Sequence, residues 1–140
     1  MEITAAMPVE TKQTNQRIRV LAIDDDEDFC RIVKDLLEPH GYDILPVASP
    51  VKALELYTRQ KDRFDLVMLD YYMPGLDGGK TFEWLRKLNP AVRVILCSGA
   101  EELRLRQLMT HHKLDGYIHK PFRIQEALFT INSVMRPGAK

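Results

Sequence analysis

The sequence predicts an α/β domain built on one five-stranded parallel sheet with helices on both faces. Three observations point there. Strand-like and helix-like segments alternate five times along the chain, which is the pattern of successive βα units. The runs Leu66–Leu69 and Val92–Cys97 are apolar without alternation, as expected of strands covered on both sides. With 140 residues and 45% apolar composition, the chain suffices for one core and leaves no room for a second domain.

The elements follow in order. Residues 1–16 are polar, lack periodicity and read as a flexible N-terminal tail or linker, so the domain is expected over 17–136. Ile18–Ile23 is a short β-branched apolar run that ends at Asp24. Phe29, Ile32, Val33, Leu36 and Leu37 recur at i, i+3, i+4, i+7 and i+8, the stripe of an amphipathic helix. Asp28 is read as its capping acid, since carboxylates favour helix N-termini. Pro39-His40-Gly41 ends that helix and Tyr42–Val47 makes a second strand. Ser49 as N-cap with Pro50 behind it opens a helix through Tyr57. Leu66–Leu69 is the third strand, and Met73-Pro74-Gly75 a loop. Asp77 and Gly78 read as turn and helix-entry residues for a helix marked by Phe82, Leu85 and Leu88 and stopped by Asn89-Pro90. Val92–Cys97 is the fourth strand, followed by a helix over about Glu101–Thr110. Tyr117–His119 is a short fifth strand, and Ile124–Met135 a last helix with Leu128, Ile131 and Met135 on one face. Residues 137–140 form a C-terminal tail.

The formal net charge is zero, but the halves differ: residues 1–70 hold 14 acids and 9 bases, residues 71–140 hold 6 acids and 11 bases. The zero total argues against general nucleic-acid or membrane binding. No apolar run approaches the roughly 20 residues of a membrane span. The start Met-Glu-Ile-Thr lacks a basic n-region and an apolar h-region, so a cytoplasmic location is expected. Cys30 and Cys97 make neither a disulfide framework nor a zinc site and are expected to be reduced packing residues. His40, His111, His112 and His119 lack metal-ligand spacing and read as surface or packing residues, and Trp84 as half-exposed on its helix.

In open parallel sheets ligands bind beyond the carboxyl ends of the strands, so the residues ending each strand carry the chemistry. The first strand ends at Asp24-Asp25, the third at Asp70, the fourth at Ser98 and the fifth at Lys120. If the order is 2-1-3-4-5, the first and third strands are neighbours, roughly 4.8 Å apart. Three carboxylates then crowd one rim and call for a cation. A small set of hard oxygen ligands suits Mg²⁺ completed by a phosphate oxygen. Lys120 supplies a point charge for an oxyanion and Ser98 a hydroxyl donor. Carboxylate, divalent cation, ammonium and hydroxyl together make a phosphoryl-transfer site with a carboxylate nucleophile. A calcium loop on Asp24, Asp26 and Asp28 fails, because Phe29 stands where that loop needs Gly and Asp35 where it needs Glu. Ser98-Gly99-Ala100-Glu101 is also a capping-box pattern, which competes for the same hydroxyl.

At these residues the sequence resembles the receiver domain of two-component response regulators. The matching pieces are Val20-Leu-Ala-Ile-Asp-Asp-Asp26, Leu66-Val-Met-Leu-Asp70, Met73-Pro-Gly-Leu-Asp-Gly78, Val94-Ile-Leu-Cys-Ser-Gly99 and Tyr117-Ile-His-Lys-Pro-Phe122. They reach across about Ile18 to Met135 in the right order. The resemblance implies a flavodoxin-like three-layer sandwich with its sheet in the order 2-1-3-4-5. It implies Asp70 as phospho-acceptor, and Mg²⁺ bound by Asp25, Asp70 and the Tyr72 backbone carbonyl, with Asp24 acting through water. Ser98 and Lys120 would hold the phosphoryl oxygens, and Tyr117 would be the aromatic switch that follows the Ser98 hydroxyl. The Lys120-Pro121 bond is expected to be cis. The implied partners are a sensor histidine kinase or phosphotransfer protein, and a downstream protein on the face of the fourth helix, fifth strand and fifth helix. Residues 104–123 hold five Lys or Arg and one acid, Asp115, and fall on that face.

Three departures from the family pattern bear on the chemistry. Ser98 replaces the more usual Thr, Tyr72 is bulky, and Ala100 is small. A phosphohydrolase with an aspartyl nucleophile is the competing enzyme class, but it places a second Asp two residues after the nucleophile, where this chain has Tyr72. A binding module that has lost phosphorylation is disfavoured by intact Asp24, Asp25, Asp70, Ser98 and Lys120. The expected role is therefore a switch rather than a turnover enzyme, either as a single-domain regulator or as a receiver of a hybrid sensor kinase. DNA binding by the chain is not expected, since no helix-turn-helix pattern follows Met135.

Overall fold

A computed structural model of the chain describes residues 16–99, 104, 107 and 112–136. The Ala100 position, His111, the segment 1–15, the tail 137–140 and, apart from residues 104 and 107, the helix expected over Glu101–Thr110 lie outside the described residues.

Strands β1 (Ile18–Ile23), β2 (Tyr42–Val47), β3 (Leu66–Asp70), β4 (Val94–Ser98) and β5 (Gly116–His119) form one sheet in the order β2-β1-β3-β4-β5. Every neighbouring pair is parallel, as the sequence predicts. Helices α1 (Glu27–Leu37), α2 (Pro50–Gln60), α3 (Gly78–Leu88) and a C-terminal helix (Ile124–Met135) cover it. Pro46 sits in β2, an edge strand, where a missing ladder donor is tolerated.

Side chains alternate across the strands, so each face has its own core. Leu21, Ile23, Val67, Leu69, Val94 and Leu96 meet Ala53 and Tyr57 of α2 and Phe82 and Leu85 of α3. Val20, Ala22, Leu66, Met68, Ile95 and Cys97 meet Val33 and Leu37 of α1 and Ala127, Ile131 and Val134 of the C-terminal helix. Both β3 and β4 are buried along their whole length, which is why their sequences show no polar alternation. Each fully buried Leu or Ile here is worth about 2 kcal/mol of transfer free energy. Among the described residues no helix is long and apolar enough to cross a membrane.

The element boundaries differ from the expectations in small, explicable ways. The N-cap of α1 is Asp26, whose carboxylate accepts from the Phe29 amide at 3.0 Å, and not Asp28. Asp28 lies in the first turn and pairs with Arg31 at 3.2 Å. Helix α2 runs past Tyr57, its last buried residue, to Gln60; the added residues face solvent and so carry no apolar signal in the sequence. Strand β4 begins at Val94, since the Val92 amide closes a turn on the Asn89 carbonyl instead of joining the ladder. Ser49 and Asp77 cap α2 and α3, accepting from the Lys52 and Lys80 amides at 3.2 and 2.9 Å. Gly41 and Gly75 take φ of 99° and 92°, which fits glycine at the turns before β2 and α3.

Candidate functional site

Strand register brings the predicted residues to one rim. Ile23 pairs with Leu69, so Asp24 and Asp70 follow side by side at the carboxyl ends of β1 and β3. Asp70 pairs with Cys97 and Ser98 with His119, which places Ser98 and Lys120 at the same level. The Lys120 amide donates to the Ser98 carbonyl at 2.9 Å and holds the loop after β5 against the end of β4. The Lys120–Pro121 bond is cis.

Carboxylate oxygens of Asp24, Asp25 and Asp70 all lie within 4.8 Å of one another. Asp24 and Asp70 are buried, 4% and 6% exposed, while Asp25 faces solvent. Lys120 Nζ lies 2.6 Å from Asp24 Oδ2 and 3.6 Å from Asp70 Oδ1. The other oxygen of Asp24 accepts from the Asp26 amide at 2.9 Å. One ammonium against three carboxylates leaves two negative charges over, so the donor set and its charge fit a hard divalent cation.

The electrostatics follow from this crowding. Burial, and then the charge of Asp24, push the Asp70 carboxyl up to about 6, although Lys120 pulls the other way. Burial works against the Lys120 charge, but the hydrogen bond to Asp24 and the charges of Asp70 and Asp24 outweigh it, so its pKa is raised. Burial and Asp24 push the Cys30 thiol up to about 11, and burial raises Cys97 as well. Both buried cysteines therefore stay as thiols at neutral pH, as packing residues do.

Ser98 is 1% exposed at the end of β4. Tyr117 pairs with Leu96 and packs into the α2/α3 core, on the sheet face that Ser98 shares by alternation. Tyr72 stands in the loop after β3, half exposed, with its ring edge-on to Tyr71 at 4.9 Å. His112 lies 3.1 Å from Glu83 and edge-on to Phe82, away from the rim, and Trp84 is half exposed on α3, both as expected.

Two residues at the site escaped the sequence reading. The Phe29 ring lies under the Lys120 ammonium, 4.1 Å from centroid to Nζ. Its only signal was a place in the helical stripe beside the acidic run. The second is Gly78, whose amide donates to the Tyr71 carbonyl at 2.8 Å. A Cβ there would lie 2.7 Å from Tyr71 Cα and 2.9 Å from the Asp70 carbonyl oxygen. Because the obstacle is backbone, Gly78→Ala is expected to cost about 2 kcal/mol in a denaturant titration and to displace the end of β3. An unchanged midpoint would remove Gly78 from any role in placing Asp70.

Residues 20–132 match the family model of the response regulator receiver domain. The chain belongs to this family. Similar curated proteins include the two-component response regulator ARR12 of Arabidopsis thaliana, 37% identical over 109 residues, which are 78% of this chain and 18% of that protein. The transcriptional regulatory protein CpxR of Escherichia coli is 30% identical over 118 residues, 84% of this chain and 49% of that protein. The receiver domain thus spans under a fifth of the plant regulator and about half of the bacterial one. Among solved structures, a response regulator receiver domain protein from Clostridium thermocellum superposes with TM-score 0.77 at 28% identity, over 84% of this chain and 94% of that one. The chemotaxis protein CheY4 of Vibrio cholerae gives 0.76 at 25% identity, over 84% and 98%.

Proposed function

We propose that this receiver domain works in a cytoplasmic phosphorelay, taking a phosphoryl group onto Asp70 from a phosphohistidine of a sensor histidine kinase or phosphotransfer protein. One observation carries the reading: a buried carboxylate ends the central strand β3, faced by the Lys120 ammonium at 3.6 Å and flanked by two further carboxylates. An Asp70 oxygen attacks phosphorus, a new P–O bond forms, the bond to the donor nitrogen breaks, and the imidazole leaves with its electron pair and takes a proton. Lys120 is placed to meet charge growing on the phosphoryl oxygens, and Ser98 to donate its hydroxyl to one of them. Asp24, Asp25, Asp70 and the Tyr72 carbonyl would hold Mg²⁺. When bound, Mg²⁺ offsets the carboxylate charge and draws charge from the phosphoryl oxygens.

The chain is read as a switch without multiple turnover. Phosphorylation is expected to draw Ser98 toward the new phosphoryl group and let Tyr117 turn inward, altering the surface of β5 and the C-terminal helix that a downstream protein reads. The relatives carry such a domain within longer chains; this chain is read either as a single-domain regulator or as a receiver of a hybrid sensor kinase.

The test is direct. Incubated with Mg²⁺ and a small acyl phosphate, the wild-type chain should gain one phosphoryl group by intact mass, and Asp70→Asn none. Equal labelling of the two proteins would sink the reading. Turnover of a general phosphatase substrate would favour the hydrolase class instead. Tyr72 bears on the lifetime of the adduct. Its half-exposed ring stands two residues after Asp70, where it shields the acyl phosphate from water. Tyr72→Ala is expected to speed loss of the phosphoryl group several-fold, measured by the decay of the mass adduct after donor removal. The same decay rate in both proteins would end that idea.

A further inference from the structure

We propose that Phe29 is a positioning residue for the phosphoryl transfer, its ring face holding the Lys120 ammonium where the phosphoryl oxygens arrive; this rests on the reading of Asp70 given above. Lysine is a flexible stem carrying a point charge, so its aim must come from its surroundings. Among the described residues, Nζ has Asp24 at 2.6 Å, Asp70 at 3.6 Å and the Phe29 ring at 4.1 Å from its centroid. Both carboxylates belong to the cluster that would take a cation, and Asp70 is also the acceptor. Each has a competing use during the reaction. The ring has none, since it neither titrates nor ligates, and its attraction for an ammonium persists when the carboxylates are engaged.

Local structure makes the ring a fixed platform. Asp26 caps α1 by accepting from the Phe29 amide at 3.0 Å, which sets the backbone from which the side chain leaves. The Phe29 ring also meets Phe122 in an edge-to-face contact, 5.8 Å between centroids at 87°. Phe122 follows the cis Lys120–Pro121 unit, so Phe29 touches the lysine loop at its charged tip and again two residues on. The ring also lines the small void of about 10 Å³ beneath Asp24 and Asp70. An aliphatic residue of similar size would fill this place for packing alone and would present no negative face to the ammonium.

The experiment compares wild type with Phe29→Leu, Phe29→Met and Phe29→Tyr, all as the full chain. Lysine side chains are labelled with carbon-13 and the Lys120 εCH₂ protons are observed by NMR. Phosphorylation by a small acyl phosphate is timed at saturating Mg²⁺, and Mg²⁺ affinity is titrated. Ring-current shielding should move the Lys120 εCH₂ protons upfield in wild type and Phe29→Tyr, and the shift should vanish in Phe29→Leu and Phe29→Met. The phosphorylation rate should fall about tenfold in the two aliphatic variants and return in Phe29→Tyr, with Mg²⁺ affinity changed less than about twofold. Packing loss alone would lower affinity and rate together. If wild type phosphorylates, and a folded Leu or Met variant does so at the wild-type rate, the inference falls while the acceptor reading stands. If wild type takes no phosphoryl group, the acceptor reading falls and this role of Phe29 falls with it.

Discussion

Asp70→Asn is expected to give a protein that is more stable than wild type at pH 7.5 without divalent cations, and that takes no phosphoryl group. In the folded chain the Asp70 carboxyl is pushed up to about 6 from an ordinary 3.8, by burial first and then by Asp24. Its folded-state pKa lies above its unfolded one, so the folded state binds the proton more tightly. Stability from this group is therefore fully present below about pH 4 and is lost as pH rises toward 6, leaving a standing cost at neutral pH. After allowing for solvent at the open rim, that cost is about 2 kcal/mol. An amide fills the same volume without the charge and leaves the 2.6 Å bond between Lys120 and Asp24 in place. The variant should thus gain about 2 kcal/mol at pH 7.5 in chelator, and the gap should close near pH 4. Urea titrations at the two pH values measure it. Mg²⁺ should narrow the gap from the other side, because a cation bound only by folded wild type stabilises it by mass action. A metal-free Asp70→Asn protein less stable than wild type at pH 7.5 would falsify the view that the acceptor is held at an energetic cost.

That cost also explains which parts of the site the sequence displayed. Asp24, Asp70, Ser98 and Lys120 were legible because each stands where an apolar run stops, and in a parallel sheet those stops share one rim. Strand order was supplied by the resemblance to the receiver family, and the pairing of β1 with β3 brings Asp24 to Asp70 as that order requires. The cap of α1 was misread because several acids stand in a row, and composition does not tell which carboxylate reaches the Phe29 amide. Phe29 itself was hidden by its periodicity. A residue on the apolar stripe reads as core, and its contact with Lys120 joins positions far apart in the chain. The constraint on Gly78 was equally hidden, since a glycine after Asp77 looks like any helix entry until the Asp70 carbonyl is seen pressed against it. Local patterns located the elements to within a few residues, while contacts across the rim needed the fold.

Lys120→Met carries the larger penalty and tests the rim from its basic side. Methionine keeps most of the stem's packing and removes the ammonium, so its effect isolates charge. Asp24 Oδ2 then loses its 2.6 Å partner, and Asp70 loses the one charge that lowers its pKa. Breaking a buried pair from one side leaves the other charge uncompensated, a cost of about 3 kcal/mol at neutral pH in chelator. Two acids facing each other without a cation favour holding a proton between them, so in the variant Asp70 takes up its proton above the wild-type value of about 6, and the loss should shrink as pH falls toward 6. Millimolar Mg²⁺ should recover much of the stability without recovering the chemistry. Phosphorylation from a small acyl phosphate should drop about a hundredfold, the size expected when one preorganised donor to a developing oxyanion is removed. Lys120→Arg sharpens the point: it keeps the charge but spreads it over a planar fork, so stability should return further than rate. If Lys120→Met were as stable as wild type in chelator, the ammonium would not be holding the acids together. If its phosphorylation rate were unchanged while Asp70→Asn stayed unlabelled, Asp70 would remain the acceptor, and the charge on the phosphoryl oxygens would have to be met by another group.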